Sequence, residues 1–135
     1  MKRIEGVSIV LFKDRAVLLV KRGRPPFAGL WSLPGGKIEG TESAREAVRR
    51  ELKEETGLDA VVEGILDKVV VPTEIDEGAP YGLTVYYGRV LGGHLAAKGD
   101  AEAARWIGLG EIEGLELTPG TAPLIWLAAH RLRSA

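Results

Sequence analysis

Two short apolar runs open the chain. Gly6 to Phe12 is rich in β-branched residues, Lys13-Asp14-Arg15 interrupts it, and Ala16 to Val20 resumes it. Apolar runs of this length around a polar break predict a hairpin of strongly buried strands. Gly29 to Pro34 reads as a further short strand leading into a turn at Gly35-Gly36. Later, Ala60 to Val71 reads as one strand, or as two interrupted at Gly64, and Tyr81 to Leu91 alternates, with Tyr86 and Tyr87 on opposite faces and Gly92-Gly93 as its end. The end of Asp100 to Ile107 predicts a short strand and Gly108 to Leu115 a helical turn. After a turn at Thr118-Pro119-Gly120, Thr121 is placed to cap a last helix, Ala122 to Arg133, with Leu124, Ile125, Ala128 and Leu132 on one face. Strands on both sides of a central helix, and a second helix at the end, predict an α/β sandwich with a mixed sheet.

The central helix breaks its own pattern. Ser43 followed by Glu46 forms a capping box, so the helix starts near Ser43, and Gly57 is a natural stop. At ~100° per residue, Ala47, Val48 and Leu52 form the apolar stripe; Glu51 and Glu55 fall inside that stripe and Glu54 at its edge, while Arg45, Arg49 and Lys53 run to the solvated side. Like charges this close repel, and burying them is costly unless something pairs them. A hard divalent cation, which takes oxygen ligands, is the simplest partner for several carboxylates on one face. The plain alternative is a solvated acidic face with Arg and Lys neighbours. The intrusion of the acids into the apolar stripe, behind a Gly-Gly turn, speaks against it.

Composition removes several function classes. With 135 residues the chain is read as a single domain over 1–135, long enough for a real core. A net charge of −1 gives no basic footprint for nucleic acid or a membrane surface. The absence of cysteine excludes disulfides, thiolate chemistry and Cys-zinc sites, and two isolated histidines, His94 and His130, make no His-rich metal site. No apolar run has the length of a membrane span and Met1 to Glu5 lacks a signal-peptide core, so a soluble cytoplasmic protein is expected. The basic loop Lys21 to Pro26, stiffened by Pro25-Pro26, is either a solvated loop or a cationic rim for an anionic substrate. Pro72 to Pro80, with Glu74, Asp76 and Glu77, is an acidic loop of the kind that shapes a pocket.

The glycine turn and the acidic helix together carry a more specific pattern. From Gly36 there are five residues to Glu42, seven more to Arg50-Glu51-Leu52, then Lys53, Glu54-Glu55, Thr56 and Gly57-Leu58. This resembles the Nudix box of the Nudix hydrolases at every defined position. Gly29 to Pro34, Arg105-Trp106 and Leu117 to Thr121 extend the likeness to the short, ADP-ribose pyrophosphatase-like branch. The resemblance implies a Nudix-type α/β/α sandwich, a Mg²⁺ cofactor often replaceable by Mn²⁺, a homodimer as a common assembly, and hydrolysis of a nucleoside diphosphate linked to another moiety. It implies that Glu51, Glu54 and Glu55, with the Gly35 carbonyl, bind metal, and that Glu51 also serves as base in some members. Arg50 orients these glutamates, with Glu46 one turn earlier to hold it, and Glu42 supports the loop or a further metal.

Beyond the box the pattern thins. Members of that branch often place another catalytic glutamate three residues before the tryptophan of the Arg-Trp strand; Ala103 stands there, and Glu102 is one position earlier. Glu102 is the candidate for extra ligand or base, with Glu74, Asp76 and Glu77 as rivals. Lys21, Arg22 and Arg24 are candidates for phosphate contact. Phe27, Trp31, Tyr81, Tyr86 and Tyr87 are candidates for stacking on a base, although each also fits a plain core or rim position. ADP-ribose is the expected substrate, with AMP and ribose 5-phosphate as products. The alternatives are a nucleoside triphosphate pyrophosphatase that sanitises the nucleotide pool, and a domain that senses ADP-ribose without cleaving it.

Overall fold

The structure is a computed structural model describing residues 4–71 and 81–133. Pro72, Glu74, Asp76 and Glu77, and the side chain of Tyr81, lie outside the described residues.

Strand β1 (Ile4–Lys13) turns at Asp14 into β2 (Ala16–Arg22), the expected hairpin. Asp14 takes the left-handed conformation, φ 55°, that short polar residues tolerate in tight turns. Then come β3 (Trp31–Ser32), β4 (Gly35–Lys37), α1 (Ala44–Thr56), β5 (Leu58–Val71), β6 (Tyr81–Gly93), β7 (Ala101–Gly108), a 3-10 helix (Leu109–Gly114) and α2 (Thr121–Arg133). The sheet is mixed. β1 runs parallel to β6 and antiparallel to β2 and β4, β5 is antiparallel to β6, and β2 is flanked by β3 and β7.

Residue alternation along β1 and β2 decides the layers. Val7, Ile9, Leu11 and Leu18 pack with Ala47, Val48 and Leu52 of α1. Val10, Val17 and Leu19 pack on the opposite face with Leu124, Ile125 and Ala128 of α2. The result is the α/β/α sandwich. Among the described residues, no helix is long and apolar enough to cross a membrane.

Several local readings change. Gly35-Gly36 is not a free turn but part of β4, paired with Ser8 and Val7 of β1. Gly64 does not divide β5: the ring of Tyr87 lies against it, where a Cβ would come within 2.6 Å of the phenol oxygen, and the pairing shifts register there. β6 runs through Gly92 and Gly93, both still paired with β5, before it ends. β7 occupies all of Ala101–Gly108 rather than its end alone, since β2 offers a pairing edge along that length. Thr121 is the first residue of α2, its hydroxyl paired with that of Thr118.

Candidate active site

Helix α1 is held in place at both ends. Ser43 and Glu46 form the capping box: the Ser43 hydroxyl accepts from the Glu46 amide at 3.1 Å and the Glu46 carboxylate accepts from the Ser43 amide at 2.8 Å. Gly57 closes the helix with φ 77°, and a Cβ there would come 2.5 Å from the His94 carbonyl oxygen. Beyond that point the segment after β6 straps the helix end, with Ala96 and Lys98 amides donating to the Thr56 and Glu55 carbonyls. The buried stripe, Ala47, Val48, Leu52 and Thr56, then fixes the rotation of the helix against the sheet.

That rotation places the acids as the helical wheel expects. Glu51 and Glu55 line a cavity of about 360 Å³ between the helix, β4 and the loop after β2. Glu54 stays largely exposed. Glu55 Oε1 accepts from the Gly35 amide at 2.8 Å. Gly36 lies so close to Glu51 that a Cβ would come 2.4 Å from its carboxyl carbon, and a Cβ at Gly35 would strike the Val7 carbonyl oxygen. The paired glycines therefore serve close approach rather than unusual dihedrals.

Arg50 gathers the remaining acids. Its Nε and Nη2 donate to both oxygens of Glu42, at 3.0 and 2.7 Å, in a bidentate fork. Nη1 donates to Glu51 at 2.9 Å and to Glu54 at 3.2 Å, and Nη2 also reaches the Lys37 carbonyl. The Arg50 pairing with Glu46 expected from the sequence does not form, because the capping box engages the Glu46 carboxylate and Glu42 holds Arg50 instead. Glu42 also accepts from the Glu39 amide, closing the loop ahead of the helix. Its hydrogen bond from Arg50 lowers its pKa below the ordinary carboxylate range.

Glu51 and Glu55 shift the other way. Burial is the first cause for both, and Glu55 is pushed up to about 8, against the opposing hydrogen bond from Gly35 and the charge of Arg22. Among the described residues no three acidic or histidine side chains already converge as a cage for an ion; Arg50 draws Glu51 and Glu54 toward itself. The donor chemistry nevertheless fits a hard divalent cation: the acids are all-oxygen donors, and Glu55 is an acid whose ionisation burial opposes.

The other expected residues divide into two groups. Arg22 and Arg24 line the acid cavity, and Arg24 pairs with Asp100 at 3.0 Å. Arg22 also donates to the Pro26 carbonyl at 2.7 Å, folding the loop that carries Phe27. Phe27, exposed and in the left-handed region at φ 63°, lines a second cavity of about 710 Å³. Trp31 lies off both cavity walls and packs under the Arg105 guanidinium. Tyr86 is buried beneath Arg45, and Tyr87 packs on the α2 side. Glu102 also lies off both walls; it falls at the irregularity in the β2–β7 ladder and pairs with Lys21 at 3.8 Å. Asp100 lines the acid cavity in its stead, held by its carbonyl, which accepts from the Gly23 amide. Asp100, Lys37 and Ser8 line the cavities without standing out in the sequence. No motif marks them, and only the packing of β1, β4 and β7 brings them to the cavities.

The family model described as NUDIX domain matches residues 2–126. The chain belongs to the Nudix hydrolase family. It is 39% identical over 110 residues to the ADP-ribose pyrophosphatase of Methanocaldococcus jannaschii, covering 82% of this chain and 64% of that protein, so it spans somewhat less than two thirds of that relative. Against the putative 8-oxo-dGTP diphosphatase 2 of Mycobacterium tuberculosis H37Rv it is 36% identical over 123 residues, 90% of this chain and 84% of the other. Its fold superposes on the Nudix domain of Shewanella oneidensis NrtR complexed with ADP ribose with a TM-score of 0.85 at 28% identity, covering 98% of this chain and 90% of that one. Nudix enzymes as a family depend on a divalent metal.

Proposed function

We propose that this chain hydrolyses the pyrophosphate bond of a nucleoside diphosphate linked to a second moiety, with ADP-ribose as substrate, AMP and ribose 5-phosphate as products, and Mg²⁺ as cofactor. The observation that carries this reading is the junction of the two cavities. Arg22, Gly35, Gly36 and Lys37 are walls of both. A diphosphate at that junction meets the carboxylates on one side and a mostly apolar chamber on the other, roomy enough for a nucleoside.

Glu51, Glu54, Glu55 and the Gly35 carbonyl hold the cation in this proposal. A divalent ion bound there supplies neutralisation of the diphosphate charge and activation of water for in-line attack at phosphorus. Arg22, Arg24 and Lys37 orient the phosphates. Arg50, neutralised by Glu42, keeps Glu51 and Glu54 positioned. Asp100, on the cavity wall, is assigned the proton from the attacking water in place of Glu102, which is turned toward Lys21. Phe27 borders the chamber for the base.

The named activity of the Mycobacterium relative favours a second reading, a nucleoside triphosphate pyrophosphatase. A substrate panel with Mg²⁺ separates the two. AMP release from ADP-ribose exceeding pyrophosphate release from dNTPs and 8-oxo-dGTP supports the first reading, and the reverse order supports the second. Binding of ADP-ribose without turnover of any diphosphate would overturn both in favour of a sensing domain.

A further inference from the structure

Among the described residues, one buried side-chain polar atom has no hydrogen-bond partner: Ser8 Oγ. Ser8 is 5% exposed and sits in the middle of β1, in an otherwise apolar run from Val7 to Leu11. Its strand is laddered on both sides, to Gly35 of β4 and to Val85 of β6, so the neighbouring backbone groups are already engaged. Leaving a hydroxyl unsatisfied there is destabilising, and an alanine or valine would avoid it. In the wall of a cavity, a bound group removes that cost once the hydroxyl turns toward it.

The position of Ser8 says which part of a ligand it meets. It lines the 710 Å³ chamber, on the face of β1 opposite Val7 and Ile9, which face α1. Gly35 stands against it: a Cβ at Gly35 would come 2.9 Å from the Ser8 Cβ. Gly35 also belongs to the junction shared with the acid cavity. The group next to Ser8 is therefore the one immediately beyond the diphosphate, ahead of the apolar walls Leu33, Leu83 and Leu124 that suit a base.

We infer that Ser8 Oγ is a specificity-determining contact that hydrogen-bonds a ribose hydroxyl of the nucleoside half of the substrate. This rests on the proposed placement of the diphosphate at the junction. A sugar hydroxyl both donates and accepts, as the serine hydroxyl does, so the pair satisfies each other inside an apolar wall. The chamber then selects ribonucleotides over the deoxy form lacking that hydroxyl. The discrimination is expected to be about 5- to 20-fold, the worth of one buried neutral hydrogen bond.

Calorimetric titration with AMP, 2′-deoxy-AMP and 3′-deoxy-AMP tests this without any turnover. The wild type is expected to bind AMP about 5- to 20-fold more tightly than one of the two deoxy analogues, and Ser8→Ala to lose that preference. The thermal midpoint of unliganded Ser8→Ala is expected to equal or exceed that of the wild type, because an unsatisfied group has been removed. Equal binding of all three nucleotides by the wild type, no binding of AMP, or an unchanged preference in Ser8→Ala overturns the inference. A lowered midpoint with unchanged preference assigns Ser8 a purely structural role and overturns it as well. The proposed reaction stands or falls separately, on the substrate panel.

Discussion

Glu55 concentrates the conflict that the site resolves. Its carboxylate is pushed up to about 8, first by burial and further by the neighbouring Glu51 and Glu54, against the Gly35 amide and the charge of Arg22. A carboxyl whose folded pKa lies above its ordinary 4.5 holds its proton more tightly in the folded state. Its contribution to stability is therefore present at low pH and is lost as pH rises through that window to about 8. Metal-free protein is expected to lose thermal stability between those limits, and Glu55→Gln to flatten the loss. Adding Mg²⁺ at the upper end is expected to restore stability to the wild type and not to the variant. Melting curves across the window, with and without metal, check this. The conflict itself was legible in the sequence, because the helical period alone puts Glu51 and Glu55 in the apolar stripe. Which partner relieves each acid was not legible. Arg50 turns to Glu42 rather than Glu46 because the loop from Lys37 to Ser43 folds back beside it, and loop closure has no period to read.

At the scale of elements, helix α1 and strand β4 act as one unit, and two of the glycines around them do different jobs. At Gly57 an added Cβ meets a backbone oxygen, that of His94, and the residue needs φ 77°. Neither can yield cheaply, so Gly57→Ala is expected to cost about 1–3 kcal/mol of stability, measured by denaturant unfolding. At Gly36 the added Cβ meets the tip of the Glu51 side chain, which can swing away. Gly36→Ala is therefore expected to keep most of the stability and lose most of the activity, because the carboxylate is displaced from the cavity. A Gly36→Ala variant with normal turnover would show that the placement of Glu51 does not matter. The existence of α1, β1, β2 and α2 could be read from apolar periodicity. β4 could not, since three residues containing two glycines carry no hydrophobic signal, and its pairing with β1 depends on a close approach that only the folded sheet creates.

For the whole molecule, the sandwich sets two cavities side by side. The α1 side of the sheet brings the acids to β4, and the α2 side opens the larger chamber; the two meet at Arg22, Gly35, Gly36 and Lys37. The box is a contiguous pattern with fixed spacing, so family and reaction class could be read from it directly. The chamber is assembled from β1, β5, β6 and the start of α2, which are distant in sequence, and so the substrate could not. The same dispersal explains why Trp31, flagged for its ring, packs under Arg105, while Asp100 and Ser8, flagged by nothing, line the cavities. On the proposed function, the acids intrude into the apolar face of α1 in order to hold a divalent cation against a diphosphate. This is tested most directly by the rate of AMP release from ADP-ribose as Mg²⁺ is titrated, in the wild type, Glu54→Gln and Glu55→Gln. No turnover is expected without a divalent ion, with saturation as it is added and a fall of about a hundredfold or more in both folded variants. Metal-independent hydrolysis, or near-normal rates in both variants, would contradict it.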